Sequence, residues 1–207
     1  MAYSDFTSLS KVRTTFNLTI NETSRLFPDI APLEPSDYLK ITLHEFLPLA
    51  NAINTEKARS ELIIAPVLLE VRRQFNFQVG FFSGTDFNVD QTVGLYGYCD
   101  YILTASPEMY EIYAPVVTLV EAKNENIKSG LGQCIAEMVA AQRFNQQMEI
   151  PIDVIYGAVT TGMIWKFIKL VDQTAFIDLN DYFIKEVNQI LGILSTPLGQ
   201  HLSHRNE

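Results

Sequence analysis

Apolar positions in the first fifty residues recur at helical spacing. Phe6, Leu9, Val12 and Phe16 fall on one face, and Leu39, Leu43 and Phe46 do so again after Pro35-Ser36-Asp37, which reads as a helix start. Pro28, Pro32 and Pro35 separate the two helices. A cap at Asn54 or Thr55 opens a longer helix, TEKARSELIIAPVLLEVRRQF. Its Pro66 lacks a backbone donor, so it is expected to bend the helix or to sit where that donor is already unpaired. The period then shortens. NFQVGFFSG reads as a strand ending in a turn at Ser83-Gly84, GLYGYCDYIL as a second and PVVTLVEAKN as a third. From Val116 to Val120 the third strand is apolar on both faces apart from Thr118, the pattern of a strand covered on both sides. Ser129-Gly130-Leu131-Gly132 opens a helix to about Asn145, whose apolar stripe is Leu131, Cys134, Ile135 and Met138. IDVIYGAV and MIWKFIKL are two final strands joined at Thr160-Thr161-Gly162, with Trp165 packed in the core or at an edge. A last helix from Asp181 to about Leu194 precedes a polar tail.

This order predicts an α/β fold: a mixed sheet with helices on both faces, in one domain over residues 1–207. Residues 1–50 form a helical N-terminal extension, 54–170 the core, and 171–207 a C-terminal helix and tail. At 47% hydrophobic and 19% charged, with thirteen Phe and nine Tyr, the chain can bury a sizeable core, which excludes a disordered protein. No run approaches the roughly 20 apolar residues of a membrane span, and no secretory signal is visible. Cys99 and Cys134 lie in apolar segments and read as buried thiols. A cytoplasmic protein without a membrane partner is the expectation. The formal net charge of −9 argues against gripping nucleic acid by bulk charge.

Three charged positions stand out against this apolar background: Asp100, Glu121 and Lys123. Side chains alternate along a strand, so Glu121 and Lys123 share a face at the end of the most apolar strand. Burying them there is costly unless each finds a partner or a metal. Asp100, near the end of the neighbouring strand, could lie beside Glu121. Two adjacent carboxylates repel, and an oxygen-coordinated Mg²⁺ relieves that repulsion. The residues alone also allow a plain ion pair of Lys123 with Glu121 or Asp100.

An Asp on one strand, Glu-Ala-Lys on the next, a following helix with Gln near its start and an acid on the preceding helix resemble the PD-(D/E)xK nuclease superfamily. The stretches that carry the resemblance are ARSELIIAPVLLE, GYCDYIL, LVEAKN and GQCIAEMVAAQ, with YGAVTTGMIWKF trailing. It covers residues 54–170, and Cys99 stands where many members have proline. The resemblance implies a restriction-endonuclease-like three-layer core in the order α-β-β-β-α-β-β. It also implies Mg²⁺ or Mn²⁺ held by Glu61, Asp100 and Glu121, with Lys123 as the catalytic lysine. Gln133 would position water or substrate backbone, and Glu137, one turn later, is a weaker candidate. The implied activity is phosphodiester hydrolysis, in DNA before RNA, by a homodimer. The alternative is a non-catalytic nucleic-acid-binding or assembly module on the same fold.

The remaining candidates have ordinary readings beside functional ones. Glu61 could simply pair with Lys57 along a helix. Gly130 and Gly132 could bring amides toward a phosphate or form a flexible loop. Asp86 and Asp90 could be ligands or turn residues. His44, His201 and His204 show no ligand spacing with Cys or Asp, which disfavours zinc. Lys128, Arg143, Lys166 and Lys169 could line a groove. The N-terminal helices could be a dimer surface or could pack on the protein's own sheet.

Overall fold

A computed structural model of the chain describes residues 1–202, and His204 lies outside them. The strands are β1 (Thr19–Asn21), β2 (Gly80–Asp86), β3 (Tyr98–Thr104), β4 (Val116–Ala122), β5 (Val154–Thr160), β6 (Ile164–Val171), β7 (Thr174–Ile177) and β8 (Tyr182–Phe183). The helices are α1 (Leu9–Phe16), α2 (Asp37–Ile53), α3 (Glu56–Arg59), α4 (Ala65–Gln74), α5 (Ile127–Gln147) and α6 (Val187–Leu202). The strands form one mixed eight-stranded sheet in the order β1-β7-β6-β5-β4-β3-β2, with β8 added to β6. Strands β2, β3 and β4 make an antiparallel meander. Strand β5 then runs parallel to β4, a connection that needs a crossover, and α5 supplies it.

Every position of β4 is buried, because both faces of the sheet are covered. On one face Leu39, Leu43, Ile63, Leu68 and Leu194 join Val120, Ala158 and Phe167 in a core under α2, α4 and α6. On the other, Tyr3, Phe6, Val12, Ile135 and Met138 join Ile102, Leu119 and Val159 under α1 and α5. Trp165 is fully buried in the first core and stacks on Phe167. Cys99 and Cys134 are free buried thiols.

The expected elements are present with several corrections. The N-terminal extension is not purely helical, since β1 closes the edge of the sheet against β7. Its Phe6, Val12 and Phe16 are buried against the protein's own α5 layer, so they are not available as a dimer surface. In α2, Leu39, Leu43 and Ala50 face inward, whereas Phe46 is only half-buried. Pro66 does not break its helix. A π turn, Ser60–Ile64, precedes it, and Pro66 falls in the first turn of α4, where a missing donor costs little. Ser83-Gly84 does not end β2: Gly84 takes φ +59 inside the strand, a conformation glycine reaches without strain. The last helix does not start at Asp181. Asp178 accepts hydrogen bonds from Asn180 N–H and Tyr182 Oη, which makes a turn into β8, and α6 begins at Val187 and continues to Leu202.

Candidate functional site

The site begins where two strands part. The last paired residues of β3 and β4 at this end are Tyr101 and Val120. Beyond them the Asp100 carboxylate replaces a backbone partner: the Ala122 N–H donates to its Oδ2 at 2.7 Å. On the other side β4 stays paired with β5 through Glu121–Val159 and Ala122–Thr160, and Lys123 N–H donates to Thr160 O at 2.8 Å. Glu121 and Lys123 are therefore held on rigid backbone, and strand alternation turns both to one face. Lys123 Nζ donates to Glu121 Oε1.

Helix α5 closes over that face. Asn126 caps it, accepting from Lys128 N–H, so Gly130 and Gly132 lie within the helix and not in a loop. Both glycines allow close approach. A Cβ at Gly130 would stand 2.7 Å from Val159 Cγ1 and 3.1 Å from the Lys123 stem, and one at Gly132 would stand 2.4 Å from the Phe6 carbonyl oxygen. The helix is buried nearly all round from Gly130 to Ala141, because the N-terminal segment covers its outer side. Glu137 is therefore fully buried, not at the margin its position beside the stripe suggested. It lies against Glu121 and accepts from Gln133 Nε2 at 3.1 Å. Glu121 Oε2 and Glu137 Oε2 are buried and meet no hydrogen-bond partner among the described residues.

Burial, reinforced by the Asp100 charge, pushes the Glu121 carboxyl up to about 8, against the pull of Lys123 and of the neighbouring Glu137 carboxyl. Burial first and Glu121 second hold the Glu137 carboxyl well above the usual carboxylate range. For Lys123, burial works against the ammonium, but Glu121 and Asp100 outweigh it and keep its pKa above the ordinary lysine value. Lys123 is thus a cation at neutral pH, suited to neutralising developing negative charge and not to acting as a base.

Glu61 stands apart. It sits on the π turn, over the other face of the sheet, with its side chain 60% exposed and bonded to Lys57 Nζ at 2.8 Å. It meets Asp100 across a groove of about 260 Å³ that Ser60, Ser83 and Tyr101 also line, and neither Glu121 nor Lys123 lines that groove. Tyr101 Oη donates to the Ser60 carbonyl at 2.9 Å, tying β3 to the π turn. Asp100, Glu121, Lys123, Glu137 and Gln133 thus form one constellation, which Glu61 joins only through Asp100.

No group of three or more His, Cys, Asp or Glu among the described residues stands ready-made as a metal cage. The donors present are nonetheless all oxygen, with two buried carboxylate oxygens unpartnered, which fits a hard divalent cation better than zinc. The supposed basic groove is not assembled. Lys166 binds Asp181 at 2.6 Å and carbonyls of the β7–β8 turn, Lys169 bonds the Leu26 carbonyl over the Phe27 ring, and Arg143 pairs with Asp90. Each cation satisfies a local acceptor, which leaves only Lys128 of the four exposed at the start of α5. Asp90 caps its own turn through Thr92 N–H, and Asp86 is exposed at the end of β2. Sequence reasoning underrated Glu137. The available signal was an acid in the midst of the apolar run CIAEMVAA, where a solvated carboxylate has no place.

The sequence matches no protein-family model and no curated protein.

Proposed function

We propose that this protein is a metal-dependent nuclease that hydrolyses phosphodiester bonds, in DNA before RNA, on a restriction-endonuclease-like version of its mixed α/β architecture. The observation that carries the reading is the convergence of Asp100, Glu121 and Lys123 where β3 and β4 part, with a buried Glu121 oxygen left unpartnered. The fold lends this reading only its α/β class, a mixed eight-stranded sheet flanked by helices. Asp100 and Glu121 would hold Mg²⁺ or Mn²⁺, with Glu61 facing the same Asp100 from across the groove. A bound divalent cation supplies Lewis acidity at the phosphate. Lys123, partly exposed and kept protonated, offsets negative charge that builds on the phosphoryl oxygens in the transition state. Gln133, half-buried on α5 with its amide on Glu137, is placed to orient water or the substrate backbone. A homodimer would give two such centres for two strands, using a surface other than the buried N-terminal helix.

A non-catalytic nucleic-acid-binding or assembly module on the same fold is the second reading. It draws support from the closed state of the site, in which Glu121 is 1% exposed and both lysines beside the acids, Lys57 and Lys123, are already paired. One experiment separates the two. Supercoiled, linear and single-stranded DNA and RNA are incubated with the protein and Mg²⁺ or Mn²⁺, beside Lys123→Ala and Asp100→Ala. Cleavage by the wild type, reduced at least about 100-fold in both variants, is expected. Identical behaviour of all three proteins on every substrate would remove the catalytic reading.

A further inference from the structure

The two unpartnered carboxylate oxygens lie on the same side of the sheet, between β4 and α5. We propose that the divalent-cation site is completed there by Glu137, which joins Asp100 and Glu121 as the third carboxylate in place of Glu61, and that it takes a hard ion of the Mg²⁺ or Mn²⁺ type. The inference rests on the metal-dependent reading above and changes its ligand set.

Glu121 has Oε1 committed to Lys123 and Oε2 open, and Glu137 has Oε1 committed to Gln133 and Oε2 open. The committed oxygens fix each side chain in place. The open ones belong to residues 1% and 0% exposed, so bulk solvent does not reach them. A pair of buried carboxyls with one free oxygen each is a costly arrangement for a purely structural role, since apolar side chains of similar volume would fill the same space without the penalty. Both carboxyls also feel the charge of Asp100, which is anchored at the β3–β4 split by Ala122 N–H. A divalent cation is the ligand that offsets three such charges together. Glu61 differs in placement: it is exposed, it lies over the opposite face, and its Oε1 pairs with Lys57 at the surface. The placement of Gln133 follows as well. By holding Glu137 Oε1, it acts as a positioning residue that aims the other oxygen at Glu121.

Mn²⁺ binding to the full chain, measured by calorimetry and by the loss of the free-ion electron paramagnetic resonance signal, tests the assignment without reference to turnover. Glu137→Gln keeps the shape and is expected to weaken Mn²⁺ binding at least about 10-fold. Glu137→Asp, which keeps a carboxylate, should recover part of that loss, and Glu61→Gln should change binding less than about 2-fold. Trp165 fluorescence checks that each variant is folded. Wild-type-like binding by Glu137→Gln, a loss in Glu61→Gln as large as in Glu137→Gln, or no Mn²⁺ binding by the wild type would each overturn the inference. DNA cleavage is followed in parallel. Mn²⁺ binding that depends on Glu137 in a protein that cuts nothing removes the nuclease reading and leaves this site standing. Cleavage that survives Glu137→Gln with unchanged Mn²⁺ affinity does the reverse.

Discussion

Glu121 and Glu137 make the metal-free protein sensitive to pH in a direction opposite to that of an ordinary paired carboxylate. Burial raises the Glu121 carboxyl from 4.5 to about 8, so the folded chain keeps a proton that the unfolded chain has already released. The stability linked to that proton is complete below about 4.5 and drains away as pH rises toward about 8. Urea midpoints in chelator-treated buffer are therefore expected to fall between pH 5 and pH 8. Glu121→Gln should flatten the fall, and an unchanged slope in that variant would show that the proton resides elsewhere. The sequence made Asp100, Glu121 and Lys123 conspicuous because charge is rare at the end of an apolar strand. It could not rank Glu137 above Glu61, because both are single acids on helices and only packing distinguishes a buried one from an exposed one.

At the scale of elements, the site depends on how closely α5 can approach. Glycine at 132 lets the helix rest on the carbonyls of Phe6 and Ser8, and Gly132→Ala would drive a methyl group into backbone at 2.4 Å. Overpacking of this kind is expected to cost about 1–3 kcal/mol, read as a lower urea midpoint. Gly199→Ala in α6, whose added methyl would meet, among the described residues, only the Phe75 ring at 3.8 Å, serves as the neutral or slightly stabilising control. Strands β3, β4, β5 and β6 and the bodies of α1, α2 and α5 were legible from periodicity. The π turn before Pro66, the small edge strand β1 and the β7–β8 corner were not. The first answers a missing backbone donor by local rewinding. The others are three, four and two residues long, too short to show a period, and exist because a neighbouring strand offers hydrogen bonds.

For the whole molecule, the net charge of −9 disfavours a nucleic-acid backbone, and Arg143, Lys166 and Lys169 are engaged locally and do not line a common groove. Few neutralised phosphates mean a shallow salt dependence. In gel-shift titrations with catalytically silent Lys123→Ala, the slope of log K against log salt is expected to be no steeper than about −4, corresponding to about four phosphate contacts or fewer. A steeper slope would require a basic surface formed by assembly, such as a second subunit. No helix among the described residues is long and apolar enough to cross a membrane. The sequence by itself determined the layered α/β class, the central strand, the Glu121 and Lys123 pair at its end and Asp100 on the preceding strand, because burial on both faces and strand alternation are written in local pattern. Only the tertiary structure decided that the N-terminal segment covers α5, that Glu61 and Glu121 lie over opposite faces, and that Glu137 meets Glu121. Those facts depend on which elements pack together, a long-range outcome that no local period encodes.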